Sequence, residues 1–420
     1  MGTLSVDKIL KTSQGAAEFT LPATDGTAGQ VWQTDGSGQL SVATVGSSGI
    51  ATDAVGTSQI AADAVTASEI AGGAVGASEI ADTSITPTQI ASSTFLANRN
   101  RIINGNFDVW QRGTSFAGVT ATGYQADRWE VQPAAGCTMT ISRQAFTAGQ
   151  TDVPYEPSYF LRADITTAGS ANSEISQKIE DVRTFAGQTI VASFYAKSTT
   201  GTQTLNCRFH QDFGSGGSTR VTTGVTQKVL TSSWQKFTFT LTLGSISGKT
   251  IGTSSYLAFN FYWANSSTSN DVDLAQVQVE AGSVATPFEY KTFDQELEAC
   301  LRYYQKSYEY GTALGSSTGN GAVCMVSMAN TSSSTANSGV GPRWPKEMRT
   351  QPTVTIYSGL NGTSGELAYT RAGIGAASVA ASTGGLSTKA MRVWTTAASS
   401  LGTNNAVEQF YHYAVDAEIS

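Results

Sequence analysis

From Ile50 the chain reads IATDAVGTSQIAADAVTASEIAGGAVGASEIADTSITPTQI, with isoleucine at 50, 60, 70, 80 and 90 and Val55, Val65, Val75 and Ile85 midway between. A fixed period decides architecture before any local pattern does. Here it is ten residues with a half-period of five, which matches neither the helical period of about 3.6 nor the strand period of about 2. The hydroxyls ahead of Ile60 and Ile70 can cap one helical turn, and the Asp-Ala-Val steps suit an extended piece. Each decamer brings only two sizeable apolar residues, too few for one chain to offset its ordering entropy. Three chains pooling Ile50, Val55, Ile60, Val65, Ile70, Val75, Ile80, Ile85 and Ile90 around a common axis have enough. A slender homotrimeric stalk is expected over 50–97. The plainer alternative is a flexible low-complexity linker, against which the strict isoleucine register counts.

Residues 1–49 are rich in Gly, Ser and Thr, and VWQT and QLSV flank the Asp35-Gly36 turn. That is a hairpin signal. One hairpin is not stable alone, so this segment needs neighbours or copies of itself. Residues 98–290 change character. TIVASFYAKS, LNCRFHQDF, WQKFTFTLTL, YLAFNFYW and AQVQVE alternate with period two, separated by Gly, Ser and Asn clusters. The expected inward faces include Leu205, Cys207, Phe209 and Phe213 in one strand and Phe259, Phe261 and Trp263 in another. Regularly spaced short strands without helices between them imply a sandwich or jelly roll. Residues 291–310 predict one helix, opened by a Thr292/Gln295 capping box. Its apolar stripe is Phe293, Leu297, Leu301 and Tyr304, with a Glu298–Arg302 pair. PTVTIYS, KAMRVWTTA and EQFYHYAVDAEIS read as strands of a C-terminal β domain, 311–420.

Composition narrows the function classes. Charged residues are 14% and the net charge is −7, so the clustered cations that phosphate contacts need are missing. Nucleic acid is not an expected partner. Two histidines leave little for metal or His-based chemistry. The four cysteines show no CxxC spacing, which points to free, mostly buried thiols. MGTLSVDKILKTSQG has no apolar core after its first lysine, so no secretory signal is expected. No run of apolar residues is long enough to span a membrane.

RNRIINGNFDVWQRG with YQADRWEV (100–114, 124–131), closed by NDVDLAQVQVEAGSVATPFEYK (270–291), resembles a jelly-roll module of phage and prophage tail fibres, similar to galactose-binding-like carbohydrate-binding modules. LEACLRYYQKSY, PRWPKEMRTQPTVTIYS and the final YAVDAEI resemble the C-terminal tip that follows in such fibres. ATDGTAGQVWQTDGSGQLS and the decamers are also of a kind seen there. The resemblance implies a mostly β, elongated homotrimeric fibre: attachment region 1–49, decapeptide stalk 50–97, jelly-roll β-sandwich 98–290, linking helix 291–310 and a β-sandwich-like tip 311–420. It implies synthesis in the host cytoplasm, assembly into the virion tail on a baseplate or tail protein at the N-terminus, and contact with host-surface polysaccharide or lipopolysaccharide.

Sugar recognition uses exposed aromatic faces with amide and carboxylate hydrogen bonds. Most aromatics here are expected in the core, Trp129 among them. Tyr262 alternates opposite Phe261 and Trp263 and is expected to face out. It is the candidate glycan contact, with Tyr124 beside it. In the tip, Trp344 between Arg343 and Pro345 is a rigid candidate, with packing as the plainer reading. The loops 313–321 and 329–341 are candidate receptor contacts. Carbohydrate modules of this kind often hold a structural Ca2+ between an acid in the first strand and one in the last. The resemblance places Asp108 with Asp271 or Asp273 in that role, the plainer reading being solvated loop acids. The expected activity is adhesion without catalysis. The alternatives are a depolymerase tailspike, which needs two carboxylates in a cleft, and a purely structural connector fibre.

Overall fold

The computed structural model describes residues 8–10, 18–20, 22, 27–34, 39–45, 60, 70, 98–264, 270–328, 336–337, 341–371, 375–395 and 406–419. The chain divides into two units, Met1–Ile85 and Thr86–Ser420. In the first, β1 (Lys8–Leu10) pairs antiparallel with β2 (Glu18–Thr20), and β3 (Val31–Thr34) with β4 (Leu40–Ala43), the hairpin expected around Asp35-Gly36. Of the repeat positions, Ile60 and Ile70 are described and are 44% and 45% exposed. Ile50, Val55, Val65, Val75, Ile80, Ile85 and Ile90 lie outside the described residues.

The second unit is mostly antiparallel β-structure, with one helix among the described residues. Its first part runs β5 (Ser115–Val119), β6 (Gly123–Tyr124), β7 (Glu130–Gln132), β8 (Thr138–Ala145), β9 (Tyr159–Thr167), β10 (Asn172–Glu180), β11 (Thr189–Lys197), β12 (Gln203–Asp212), β13 (Val221–Leu230), β14 (Gln235–Thr242), β15 (Tyr256–Ala264) and β16 (Asn270–Ala281). These form two six-stranded sheets, ordered β13-β12-β15-β10-β7-β6 and β14-β11-β16-β9-β8-β5. Consecutive strands occupy matching positions in opposite sheets, which is jelly-roll winding. Period-two patterning fills the space between. Leu205, Cys207 and Phe209 of β12 and Leu257, Phe259, Phe261 and Trp263 of β15 are buried in one core. Phe194 meets Phe261 edge-on at 4.8 Å and Phe209 stacks on Phe259 at 4.8 Å, the offsets that ring quadrupoles favour.

The two ends of the sandwich are tied together. The Glu289 carboxylate of the Pro-Phe-Glu turn accepts the N–H groups of Asn98 and Asn100. Asn100 Oδ1 in turn accepts from Ile102 N and Val279 N, both at 3.0 Å. The chain then continues into α1 (Phe293–Leu301), capped by Thr292 with the reciprocal Gln295 bond that the sequence predicts. The helix is shorter than the expected 291–310. Tyr304–Lys306 is instead a strand, β17, because its backbone joins a long-range ladder with Asp416–Ala414. The buried positions are Glu296 and Cys300, while Phe293, head of the expected stripe, is 41% exposed. Glu296 turns inward because it accepts the Asn104 N–H at 2.7 Å. Glu298 pairs with Lys346 and Arg302 with Glu180, so the expected Glu298–Arg302 pair does not form.

The C-terminal part adds β18 (Val323–Met328), β19 (Ala336–Asn337), β20 (Thr353–Ser358), β21 (Glu366–Arg371), β22 (Gly375–Gly384), β23 (Arg392–Thr395) and β24 (Ala406–Asp416). β24 is its spine. β17 and β18 pair along one edge and β20 and β21 along the other. Its core includes Trp344, Met348, Leu367, Tyr411 and Val415. Of the four free cysteines, Cys137, Cys207 and Cys300 are buried and Cys324 is exposed.

The end of β24 is clasped by the sandwich. Arg128 pairs with Glu418 and lies 3.4 Å from the Tyr303 ring centroid. Arg112 reaches Asp416 at 3.0 Å and lies 3.7 Å from the Tyr304 centroid. Tyr124 Oη and Lys178 Nζ both donate to Ile419 O, at 2.8 and 2.9 Å. Asp127 accepts from Gln111 N and Nε2 at 2.6 and 2.7 Å. Burial pushes its carboxyl up to about 6, against the pull of Arg112.

Candidate functional site

A groove of about 340 Å3 lies on the outer face of the sheet that contains β10, β12 and β15. Alternation puts it there. With the odd positions of β15 in the core, Tyr256, Ala258, Asn260 and Tyr262 face the other way. Register aligns them in rows across the sheet. Glu174, Tyr262 and Asn206 form one row; Ser176, Asn260 and Arg208 the next; Lys178, Ala258 and His210 the third. Ala258, the smallest of these, leaves the floor low between Lys178 and His210. Tyr256 and Tyr262 stand at the two ends, six residues or about 20 Å apart along one strand.

Each polar group is held in place. Arg208 pairs with Glu174 and lies 4.3 Å from the Tyr262 ring centroid, a cation–π contact. Asn260 Nδ2 donates to Glu174 Oε2 at 3.2 Å. Lys178 donates to Glu130 at 3.0 Å. Burial, aided by Asp212, pushes the Tyr256 hydroxyl up to about 12. Burial, with Arg208 and Arg220, lowers His210 to about 4. At neutral pH its ring is therefore uncharged, with one nitrogen as donor and one as acceptor. Its Nδ1 lies 2.9 Å from Thr222 Oγ1. Two buried atoms on directly paired residues have no hydrogen-bond partner: the acceptor Asn260 Oδ1 and the donor Arg208 Nε. Rows of fixed donors and acceptors between two aromatic rings suit a hydroxyl-rich ligand.

Of the residues singled out from sequence, Tyr262 stands beside this groove on the same outward face, under Arg208, and is not among the residues that line it. Tyr124 sits in the clasp, its hydroxyl on Ile419 O, and burial holds its pKa well above the ordinary value. Trp344 is 6% exposed, packs on Tyr413 at 5.2 Å and donates from Nε1 to Ser387 O. Its flat face is core, so it offers no sugar platform.

The acids proposed for Ca2+ do not fit a calcium site. Arg162 takes both oxygens of Asp273 at 2.7 Å. Asp271 accepts from Ser198, Thr199 and Thr200; these bonds outweigh burial and lower its pKa. Asp108 accepts from Asn106 instead. Among the described residues no group of three His, Cys, Asp or Glu side chains stands close enough to hold a metal ion. Loop 313–321 is described, whereas most of 329–341 lies outside the described residues. Arg208, Glu174, Asn260 and His210 were not anticipated. The available signal was parity, since each shares the outward register of Tyr262 on a neighbouring or identical strand.

No protein-family model matches the chain, and no curated protein matches it. Solved structures with a similar fold include a CBM4 module, at 17% identity over 43% of this chain and 98% of that one, TM-score 0.28. Another is the C-terminal family 22 carbohydrate-binding module of Clostridium thermocellum Xyn10B, at 15% identity over 42% and 99%, TM-score 0.28. A third is the enzymatically active domain of bacteriophage CBA120 tailspike protein 4, at 14% identity over 44% of this chain and 21% of that one, TM-score 0.27. Scores of this size assign no function.

Proposed function

We propose that this protein is a fibre-type adhesin that binds a host-surface glycan in the β10/β12/β15 groove and does not cleave it. The observation that carries this reading is the groove's inventory. Tyr256 lines the groove, Tyr262 stands at its edge under Arg208, and two of its polar atoms, Asn260 Oδ1 and Arg208 Nε, lack partners. An unpaired buried donor and acceptor are costly, and adjacent sugar hydroxyls supply what both lack. Adhesion rather than hydrolysis is favoured because both groove carboxylates are tied to cations, Glu130 to Lys178 and Glu174 to Arg208. A general acid needs a carboxyl free to hold a proton.

The finer reading is a homotrimeric phage tail fibre, anchored at its N-terminus to a baseplate or tail protein and acting from the virion at the bacterial surface. The order of tail-fibre-like motifs along the sequence and the isoleucine register of the stalk support it. The test is competition. Purified full-length protein should block phage adsorption to host cells, and Tyr262→Ala should weaken that block about tenfold, as expected for losing one aromatic contact. Undiminished blocking by Tyr262→Ala would move the site elsewhere, and no blocking at all would make the chain a connector fibre. New reducing ends after incubation with host polysaccharide would make it a depolymerase. A monomer by mass photometry would remove the trimer.

A further inference from the structure

We propose a second binding site on the opposite face of the sandwich, a pocket for a single pyranose ring between β11, β16 and the segments 154–155 and 285–288. It holds about 210 Å3, room for one sugar ring and not for a chain. It does not rest on the groove, which belongs to the other sheet.

The pocket originates in a β-bulge. Between β11 and β16 the register passes from Ser193↔Gln278 to Tyr195↔Ala275, so β16 carries one extra residue. Gln276 lies there with φ 47°. A bulge bends the strand and re-aims a side chain. Gln276 Nε2 donates to Pro154 O at 2.6 Å. Because that partner is a carbonyl, it can meet only the nitrogen of the amide, and the orientation is fixed. Gln276 Oε1 is then left buried with no hydrogen-bond partner, on a residue only 3% exposed. The facing segment is strained as well, since Tyr155 and Glu156 both have positive φ, 66° and 49°. Left-handed non-glycine residues persist where surrounding structure holds them and gather at ligand sites.

The walls fit a sugar. Tyr155, Tyr195 and Phe288 supply aromatic surface, and Pro154 and Pro287 close the sides. Carbon-bound hydrogens on one face of a pyranose pack on such rings. Gln276 Oε1 accepts one hydroxyl, and Ser193 and Lys236, both lining the pocket, donate to others. Lys236 brings a positive charge and no carboxylate lines the pocket, so an acidic sugar gains further. The ligand is one residue, a chain end or side branch of a hexose or hexuronate.

Saturation-transfer NMR on the full chain, with the methyl glycosides of glucose, galactose and glucuronic acid as probes, tests this. At least one probe should receive transfer. Tyr155→Ala should weaken it about tenfold, and Gln276→Leu should do the same. Tyr155 is 53% exposed, so its removal leaves the fold intact even if Gln276→Leu does not. Val225→Ala, exposed on β13 and part of neither site, should change nothing. No transfer to any of the three probes overturns the proposal. So does transfer that survives Tyr155→Ala, or transfer lost in Tyr262→Ala, which would belong to the groove.

Discussion

Arg128 and Arg208 make the same pair of contacts in opposite surroundings. Arg128 lies over Tyr303 and pairs with Glu418; Arg208 lies over Tyr262 and pairs with Glu174. The first pair is 1% and 4% exposed, the second 23% and 20%. With water excluded, each charge depends wholly on its partner, and the pair fixes where the end of β24 sits against the sandwich. With water at hand, the same chemistry can exchange partners, which a ligand site requires. Burial, more than residue type, separates a clasp from a groove here.

The largest expected effect lies in the clasp. Glu418→Ala leaves Arg128 and Arg112 buried without their shared carboxylate. Breaking a buried pair on one side costs about 3–5 kcal/mol. A drop in the urea midpoint at unchanged m-value measures it. A loss below about 1 kcal/mol would put this pair in the class of surface ion pairs and erase the contrast.

Acid should act next. His210 falls from its ordinary value near 6.5 to about 4 on folding. The unfolded chain therefore binds the extra proton between those values, and the stability His210 contributes, full above pH 6.5, is lost as pH drops toward 4. Asp127 works with the opposite sign. Its carboxyl is raised to about 6, so the folded chain takes up its proton first and gains stability as pH falls from 6 toward 3.8. A single pH profile mixes the two. The difference between wild type and His210→Gln isolates the groove residue, and wild type should lose ground to the variant from pH 6.5 to 4. Parallel profiles would show that His210 is not desolvated by the groove.

The same contrast explains what could be read in advance. Strands of the sandwich and the outward place of Tyr262 follow from alternation, a local property. The helix start followed from Thr292 and Gln295, again local. Its end did not, because Tyr304 leaves the helix to pair with Asp416, more than a hundred residues away. Tyr124 was expected beside Tyr262 as a glycan contact. Its hydroxyl partner is Ile419 O, and nothing near residue 124 announces it. Tyr124, Asp127 and Arg128 belong to one half of a clasp whose other half is the segment 416–419. Arg208 was hidden for a milder reason: its strand was legible, but the register that sets it beside Tyr262 was not, while Glu174 lies in β10, a strand the sequence pattern did not single out.

The smallest stability effect should come from Glu174→Gln, and there the comparison is sharpest. The substitution removes the charge that holds Arg208 while keeping an oxygen for Asn260 Nδ2, now 3.2 Å from Glu174. At 23% and 20% exposure, with water within reach, the ion pair is worth about 1 kcal/mol or less. Arg208 then loses its anchor over the Tyr262 ring, so glycan binding should change by more than stability does. Urea unfolding and the adsorption-blocking assay, run on the same preparation, read the two quantities separately. If Glu174→Gln instead destabilises as much as Glu418→Ala and leaves blocking untouched, the groove pair is a second clasp, and the glycan must be sought on another face of the sandwich.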